Sequence, residues 1–438
     1  KEGFYEQVYR WFPERTFDRV LIVGAGSGTD TAVALARGAA HVDSVEIDAY
    51  LQDIGVRKHP DRPYDDPRVS RTVDDGRAFL RRSSDQYDLV VFALPDSLTL
   101  VSTSANIRLE SFLFTREAFA SVREHLADDG IFVLYNYYRE PWLVSKIGAM
   151  LATAFDGDVI VRRYPGGSAS AAAIAAGPGI DALGGAPPPG DTIDELDVSA
   201  APRPATDDWP FLYLFEPTLP THYLAALALV LLWGVVFVAR AAQRSGTPIR
   251  RFSPHFFVLG IAFLLLETRS IVTFSLLFGS TWLVNALVFF AVLASVLLAI
   301  FVTSRLTIRR PQLLYVALMG SIALAYLLPP SSLLIEPIWL RYVLAAALAF
   351  APVFFANLVF SYSFRDTKTA DMAFASNLLG AMVGGAIEYV ALITGYQALL
   401  VIVAVLYLAA YLLATRVRLL ADTELETADA LAMAGAPG

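Results

Sequence analysis

Val20-Leu21-Ile22-Val23-Gly24-Ala25-Gly26-Ser27-Gly28-Thr29-Asp30 is the stretch that decides how the first part of this chain folds. Four apolar residues, three of them β-branched, make a short buried strand, and a helical pattern over 29–37 follows. Between the two, glycines at 24, 26 and 28 let the backbone turn sharply and approach a ligand closely, as nucleotide-binding loops do at the carboxyl end of a parallel sheet. Two acids fall at matching strand ends. Glu46 closes the second strand, where a carboxylate can accept from both hydroxyls of a ribose, and Asp75 follows the third, where an adenine amino group would be read. The expected ligand is an adenosyl cofactor, held by Gly24, Gly26, Ser27, Gly28, Glu46, Asp75 and Gly76. Asp74 reads as a solvated turn residue. The competing dinucleotide reading wants G-x-G-x-x-G; here the glycines are spaced otherwise and no nicotinamide signature follows.

Outward from that loop, β-rich runs at 20–23, 44–47, 69–73, 89–93 and 131–135 alternate with helical patterns at 29–37, 76–82 and 116–126. Such alternation predicts an α/β Rossmann-like domain over 1–164, with 159–163 and 171–176 as further strands at its edge. Residues 165–219 turn Gly-, Ala- and Pro-rich, include Pro187-Pro188-Pro189, and end in a polar–aromatic cluster around Asp207-Asp208-Trp209-Pro210. Much of 165–206 reads as a long loop or linker. Apolar stretches follow at 222–241, 256–278, 282–304, 312–329, 339–361, 373–394 and 397–414, each near the ~20 residues that cross a bilayer as a helix. An all-α polytopic transmembrane bundle of about seven helices over 220–418 is expected, with a polar tail over 419–438.

Charge divides along the same line. Residues 1–219 hold 21 Lys and Arg against 33 Asp and Glu, and residues 220–438 hold 13 against 9. An acidic first domain lacks the phosphate-neutralising side chains that nucleic-acid binding needs, so no nucleic-acid partner is expected. The chain has no cysteine, which excludes disulfides and thiolate chemistry, and its five histidines are scattered without ligand spacing, so no metal is expected. It opens on Lys1 close to the first strand and is expected to be a piece of a longer chain.

Inside the apolar stretches stand Glu267, Arg269 and Glu388, groups that must face the bundle interior and find partners, with Arg269 and Glu388 as a candidate pair. Gly380 and Gly384 make a small-xxx-small face for close helix packing. Basic residues cluster after the first, third, fifth and seventh stretches, eleven in all, against Arg341 alone on the other side. If those loops are cytoplasmic and the first stretch crosses, the α/β domain lies outside the cell, whereas a cofactor made in the cytosol requires it inside. A multi-pass protein of the bacterial inner membrane with a cytoplasmic α/β domain is the expectation, against that count.

The same residues carry a resemblance. Gly24-Ala25-Gly26-Ser27-Gly28, Val45-Glu46-Ile47-Asp48, Asp66-Pro67-Arg68-Val69, Asp75-Gly76-Arg77-Ala78-Phe79-Leu80 and Tyr87-Asp88-Leu89-Val90-Val91 resemble the spermidine synthase family, within the class I S-adenosylmethionine-dependent methyltransferase fold, over about residues 15–140. The Asp207-Asp208-Trp209-Pro210 cluster followed by spans is similar to the membrane-fused bacterial members. The resemblance implies an aspartate in the glycine loop facing an aminopropyl ammonium, where this chain has Ser27, and an aspartate after the fourth strand activating the attacking amine, where it has Ala93. Of that second motif Asp96 remains. The family's amino-terminal β-domain is also absent from this sequence. Loss of a carboxylate near the donor's tail tilts the expectation toward ordinary S-adenosylmethionine, whose α-carboxylate such a group would repel.

The expected function is therefore S-adenosylmethionine-dependent transfer of a methyl or related group to a small-molecule or lipid-soluble acceptor, with Asp96 as base and Tyr137 lining the acceptor side. Two alternatives stand beside it: a membrane aminopropyltransferase of polyamine synthesis using decarboxylated S-adenosylmethionine, and a non-catalytic cofactor-gated sensor or transporter. Membrane lipids are expected partners, and self-association into a homo-oligomer is admitted.

Overall fold

The structure, a computed structural model, describes residues 2–95, 109–138, 140–164, 170–183, 193–198, 201–219, 221–244, 252–279, 282–306, 308–328, 337–365, 367 and 370–416. It divides into two compact units, one of Lys1–Pro217 with Phe278–Thr281 and one of Thr218–Leu277 with Trp282–Gly438.

The first unit is a seven-stranded sheet flanked by helices. In chain order it runs α1 (Glu2–Tyr5), α2 (Gln7–Trp11), β1 (Arg19–Val23), α3 (Thr29–Ala36), β2 (His41–Glu46), α4 (Ala49–Lys58), β3 (Val69–Val73), α5 (Gly76–Arg82), β4 (Tyr87–Ala93), α6 (Arg116–Glu124), β5 (Leu126–Tyr138), α7 (Pro141–Phe155), β6 (Val159–Tyr164) and β7 (Ser170–Ala176). Strand order is β3-β2-β1-β4-β5-β7-β6. The first five strands pair in parallel, and β7 runs antiparallel to both of its neighbours. Chain order reverses between β1 and β4, the switch point at which open α/β sheets bind ligands. β1 lies inside the sheet, between β2 and β4, because four of its five residues, Val20 to Val23, are buried and apolar on both faces. The helices start where the sequence supplies caps: Asp48 accepts from Tyr50 and Leu51 amides, Asp75 from Arg77 and Ala78, and Thr115 from Ala118.

The predicted strands all form, extended by a few residues where the flanks can pair. Helices α4 and α7 lie where the pattern over 49–58 and 141–155 drew no prediction. Ser170–Ala176 forms the strand expected over 171–176, with Ala171 to Ala176 buried, and Trp209, beyond the stretch expected as linker, is fully buried. Asp207 there receives a bidentate pair of 2.6 Å bonds from Arg77, which is 3% exposed, and a 2.8 Å bond from the Thr115 hydroxyl. Lys146, buried on α7, donates to the carbonyls of Phe211, Leu212 and Leu214. The Asp-Asp-Trp-Pro cluster thus belts α5, α6 and α7.

The second unit consists of α8 (Thr221–Arg244), α9 (Pro254–Phe278), α10 (Trp282–Arg305), α11 (Gln312–Leu327), α12 (Ile338–Arg365), α13 (Ala370–Ile387), the single turn α14 (Ala391–Thr394) and α15 (Gln397–Arg416). Six of its helical stretches are long and apolar enough to cross a membrane, which supports an integral, multi-span membrane protein. The fourth expected span, α11, has 16 residues and is shorter than those six. Large apolar side chains such as Leu232, Phe237, Phe290 and Leu297 are exposed on these helices, as a lipid-facing surface requires. Gly380 and Gly384 meet the backbone of α9: a Cβ at Gly380 would fall 2.0 Å from the Phe257 carbonyl oxygen. Thr268 donates to Glu388 at 3.1 Å, and Arg269 to Thr273 at 3.0 Å, so both ionisable groups have polar neighbours within the bundle.

Candidate nucleoside site

At the carboxyl ends of β1, β2 and β4 a cavity of about 590 Å³ opens, within the range of small-molecule sites. Its walls include Gly24, Ala25, Gly26 and Ser27 of the loop, Glu46 and Asp48 after β2, Asp74, Asp75 and Gly76 after β3, and Ala93 to Pro95 after β4. The loop reaches this position through a close backbone approach. Gly24 has φ of 80°, and a Cβ there would lie 2.8 Å from the Ala93 carbonyl oxygen. The amides of Gly24 and Ala25 donate to the Val45 carbonyl, and Tyr64 donates its hydroxyl to the Gly26 carbonyl at 2.8 Å.

Glu46 is 6% exposed and braces the loop from below: it accepts from the Gly26 amide at 2.8 Å and from the Asp48 amide at 2.9 Å. Each carboxylate oxygen keeps further lone-pair capacity, which is what a ribose diol would use. Asp75 caps α5 through one oxygen while lining the cavity. Asp74, expected as a solvated turn residue, instead forms an ion pair with Arg82 and lines the same wall. Of the other expected residues, Ser27 and Gly76 stand in the wall, and Gly28 sits just behind it at the start of α3 with φ of 100°. Tyr137 is half-buried on β5 and is not a wall residue. Asp96 lies outside the described residues.

Asp30 is the wall residue that sequence reasoning passed over. It stands in the first turn of α3, is 9% exposed, and accepts a hydrogen bond from the Tyr135 hydroxyl. Burial pushes its carboxyl up to about 7, the tyrosine bond opposing that rise. An acid in a first helical turn is ordinarily a partner for the helix dipole, so its residue type alone does not mark it as a site residue. The signal that would have found it was its place, two residues past the last loop glycine and on the ligand side. Counting Asp30, five carboxylates line the cavity, and among the described wall residues there is no Lys, Arg or His.

Residues 13–154 match the family model described as the spermine/spermidine synthase domain. The chain carries a spermidine synthase-like domain. The polyamine aminopropyltransferase of Agathobacter rectalis is 36% identical to it over 119 residues, covering 26% of this chain and 38% of that protein. That of Pectobacterium carotovorum is 32% identical over 122 residues, covering 27% and 39%. The chain thus spans about two fifths of the length of these curated relatives. Among solved structures, spermidine synthase from Thermotoga maritima aligns at 18% identity over 52% of this chain and 74% of that one, with a TM-score of 0.34. The spermidine synthase-like domain is joined to the multi-span helical unit, and the family link is to enzymes using S-adenosylmethionine-type donors.

Proposed function

We propose that this protein is a membrane-anchored transferase that moves an aminopropyl group from decarboxylated S-adenosylmethionine to an amine. The observation that carries the choice of donor is a wall of five carboxylates, one of them paired with Arg82 behind it, with no Lys, Arg or His among its described residues. A donor with an α-carboxylate is repelled there, while one ending in an ammonium is attracted. The relatives, which bear the name polyamine aminopropyltransferase, support the same choice. Glu46 would hold the ribose, the loop from Gly24 to Ser27 would face the donor's tail, and Asp75 and Gly76 would meet the adenine. The donor supplies an electrophilic carbon on a sulfonium; the protein supplies position, which is most of what direct transfer needs.

Methyl transfer from S-adenosylmethionine is the second reading, favoured by Ser27 and Ala93 at positions where the resemblance implies aspartates. Product analysis with the full chain in lipid separates them. Methylthioadenosine together with an aminopropylated amine is the expected outcome. S-adenosylhomocysteine would support the second reading, and binding without turnover would leave a cofactor-gated sensor or transporter. We place the α/β unit, residues 1–164 with the belt up to 219, on the cytoplasmic face of a bacterial inner membrane, where adenosyl donors are made. The bundle over 220–418 would admit a small or lipid-soluble acceptor. A cysteine at position 58 should accordingly be shielded from an impermeant thiol reagent in intact cells.

A further inference from the structure

Four of the five carboxylates in the cavity wall are committed to partners of their own. Glu46 holds the Gly26 and Asp48 amides, Asp48 caps α4, Asp75 caps α5, and Asp74 pairs with Arg82. Asp30 differs. Its side chain accepts from the Tyr135 hydroxyl, and among the described residues no Lys, Arg or His forms an ion pair with it. It also borders a second, very small cavity shared with Tyr5, Tyr9 and Tyr135, so tyrosine side chains from α1, α2 and β5 stand around it. Tyr5 and Tyr135 pack edge to face with ring centroids 5.9 Å apart. A buried carboxylate among tyrosines, with no cation of its own, is a receptor for an ammonium group. Ser27 and Ala93, which carry no acid, line the same main cavity as Asp30.

We propose that Asp30 is the general base of the transfer, its carboxylate holding the ammonium of a primary alkylamine acceptor at the end of the main cavity lined by Tyr5 and Asp30 and removing its proton. The proposal rests on the aminopropyl-transfer reading above and deepens it. A proton passes from the acceptor's ammonium to an Asp30 oxygen. The freed nitrogen lone pair then forms the new N–C bond as the C–S bond of the donor breaks, its electron pair staying on sulfur. Positive charge moves from the sulfonium to the new secondary ammonium, the sulfur leaves as a neutral thioether, and the Asp30 proton returns to solvent. An ordinary surface aspartate would be too weak a base for this exchange. Burial brings Asp30 up to about 7, closer to the amine it must deprotonate. The tyrosines around it are Tyr5, Tyr9, Tyr64 and Tyr135, all held neutral by burial with their pKa values raised, and the carboxylates of Glu46, Asp48, Asp74 and Asp75 share its cavity wall.

The test uses the full chain in nanodiscs, with methylthioadenosine as the binding probe and 1,4-diaminobutane as the amine. In the wild-type protein, kcat/KM for the diamine should rise with pH through a limb near 7. Asp30→Asn should bind methylthioadenosine like the wild type, lose calorimetric binding of the diamine to that complex, and lose about 10²–10⁴-fold in kcat/KM, without the limb. Tyr135→Phe removes the bond that favours the charged form and should move the limb to higher pH. Asp30→Asn with wild-type diamine turnover, or with only a raised KM for the donor, overturns the proposal. Should that variant not fold, Tyr135→Phe decides: a limb shifted upward supports the base, and an unmoved limb overturns it. A wild-type chain that binds no methylthioadenosine overturns the transferase reading itself, and this proposal with it.

Discussion

Glu46 shows how much one side chain can carry. Its two oxygens hold the Gly26 and Asp48 amides, so it shapes the loop before any ligand arrives. Glu46→Gln keeps one acceptor and leaves one of those amides without its charged partner, at about 1.5–3 kcal/mol, or on the order of 10–100-fold in nucleoside affinity. Calorimetry with methylthioadenosine measures it. Asp30 supplies a second prediction, on stability. Its folded pKa is raised from 3.8 to about 7, so the folded state holds a proton that the unfolded chain has released. The favourable term is fully present below about pH 4, is lost as pH climbs to about 7, and stays lost above. Asp30→Asn should therefore raise the stability of the α/β unit at pH 8, by about 2–4 kcal/mol, and leave it nearly unchanged at pH 4. Thermal unfolding at the two pH values checks this, and equal effects at both would exclude it. Glu46 was legible because it ends a strand at a fixed distance from the glycine loop. Asp30 was not, because its burial comes from Tyr135, which lies 105 residues away along the chain.

At the scale of elements, the belt from Asp207 to Leu214 fixes the helix that presents Asp75 to the cavity. Arg77 begins in the same turn as Asp75 and is buried against Asp207, so the carboxylate neutralises a cation that has no access to water. Asp207→Ala would strand that cation and should cost about 2–4 kcal/mol of stability. Nucleoside affinity should fall with it, since α5 loses its anchor; a melting curve with normal nucleoside affinity would show the belt to be separate from the site. The strands were legible from their apolar, β-branched runs, and α3, α5 and α6 from their periodicity. The belt was not, because a Gly- and Pro-rich composition describes a segment with little regular structure and says nothing of where its few large side chains, Trp209 above all, become buried. In the helical unit the glycine face at Gly380 and Gly384 was visible as spacing, and the backbone of α9 against it explains why glycine is needed there.

For the whole molecule, α11 decides the topology. Sixteen residues rise about 24 Å, against a hydrocarbon core of about 30 Å, so the helix spans only with local thinning or with help from its flanks. Seven crossings place the loops after α8, α10, α12 and α15 on one side, and with them eleven of the twelve loop Lys and Arg residues. Were α11 not to cross, the two later groups would move to the opposite face. Segregation of the basic residues to one face therefore predicts that α11 crosses; the same rule makes that face cytoplasmic, opposite to the placement proposed above for the α/β unit, so the sidedness of the label tests both. Because the chain has no cysteine, single substitutions give a clean readout. Arg309→Cys and Arg365→Cys should label from the same side, and Arg341→Cys from the other; labelling of positions 309 and 341 from one side would show that α11 does not cross. The sequence by itself determined the two architectures, since hydrophobic period and apolar length depend only on neighbours along the chain, and it located the glycine loop and Glu46 for the same reason. Tertiary structure alone decided which carboxylates are already committed and which one is left facing the cavity. Commitment depends on partners brought together by the fold, Arg82 for Asp74 and the Gly26 amide for Glu46, and no local spacing encodes those meetings.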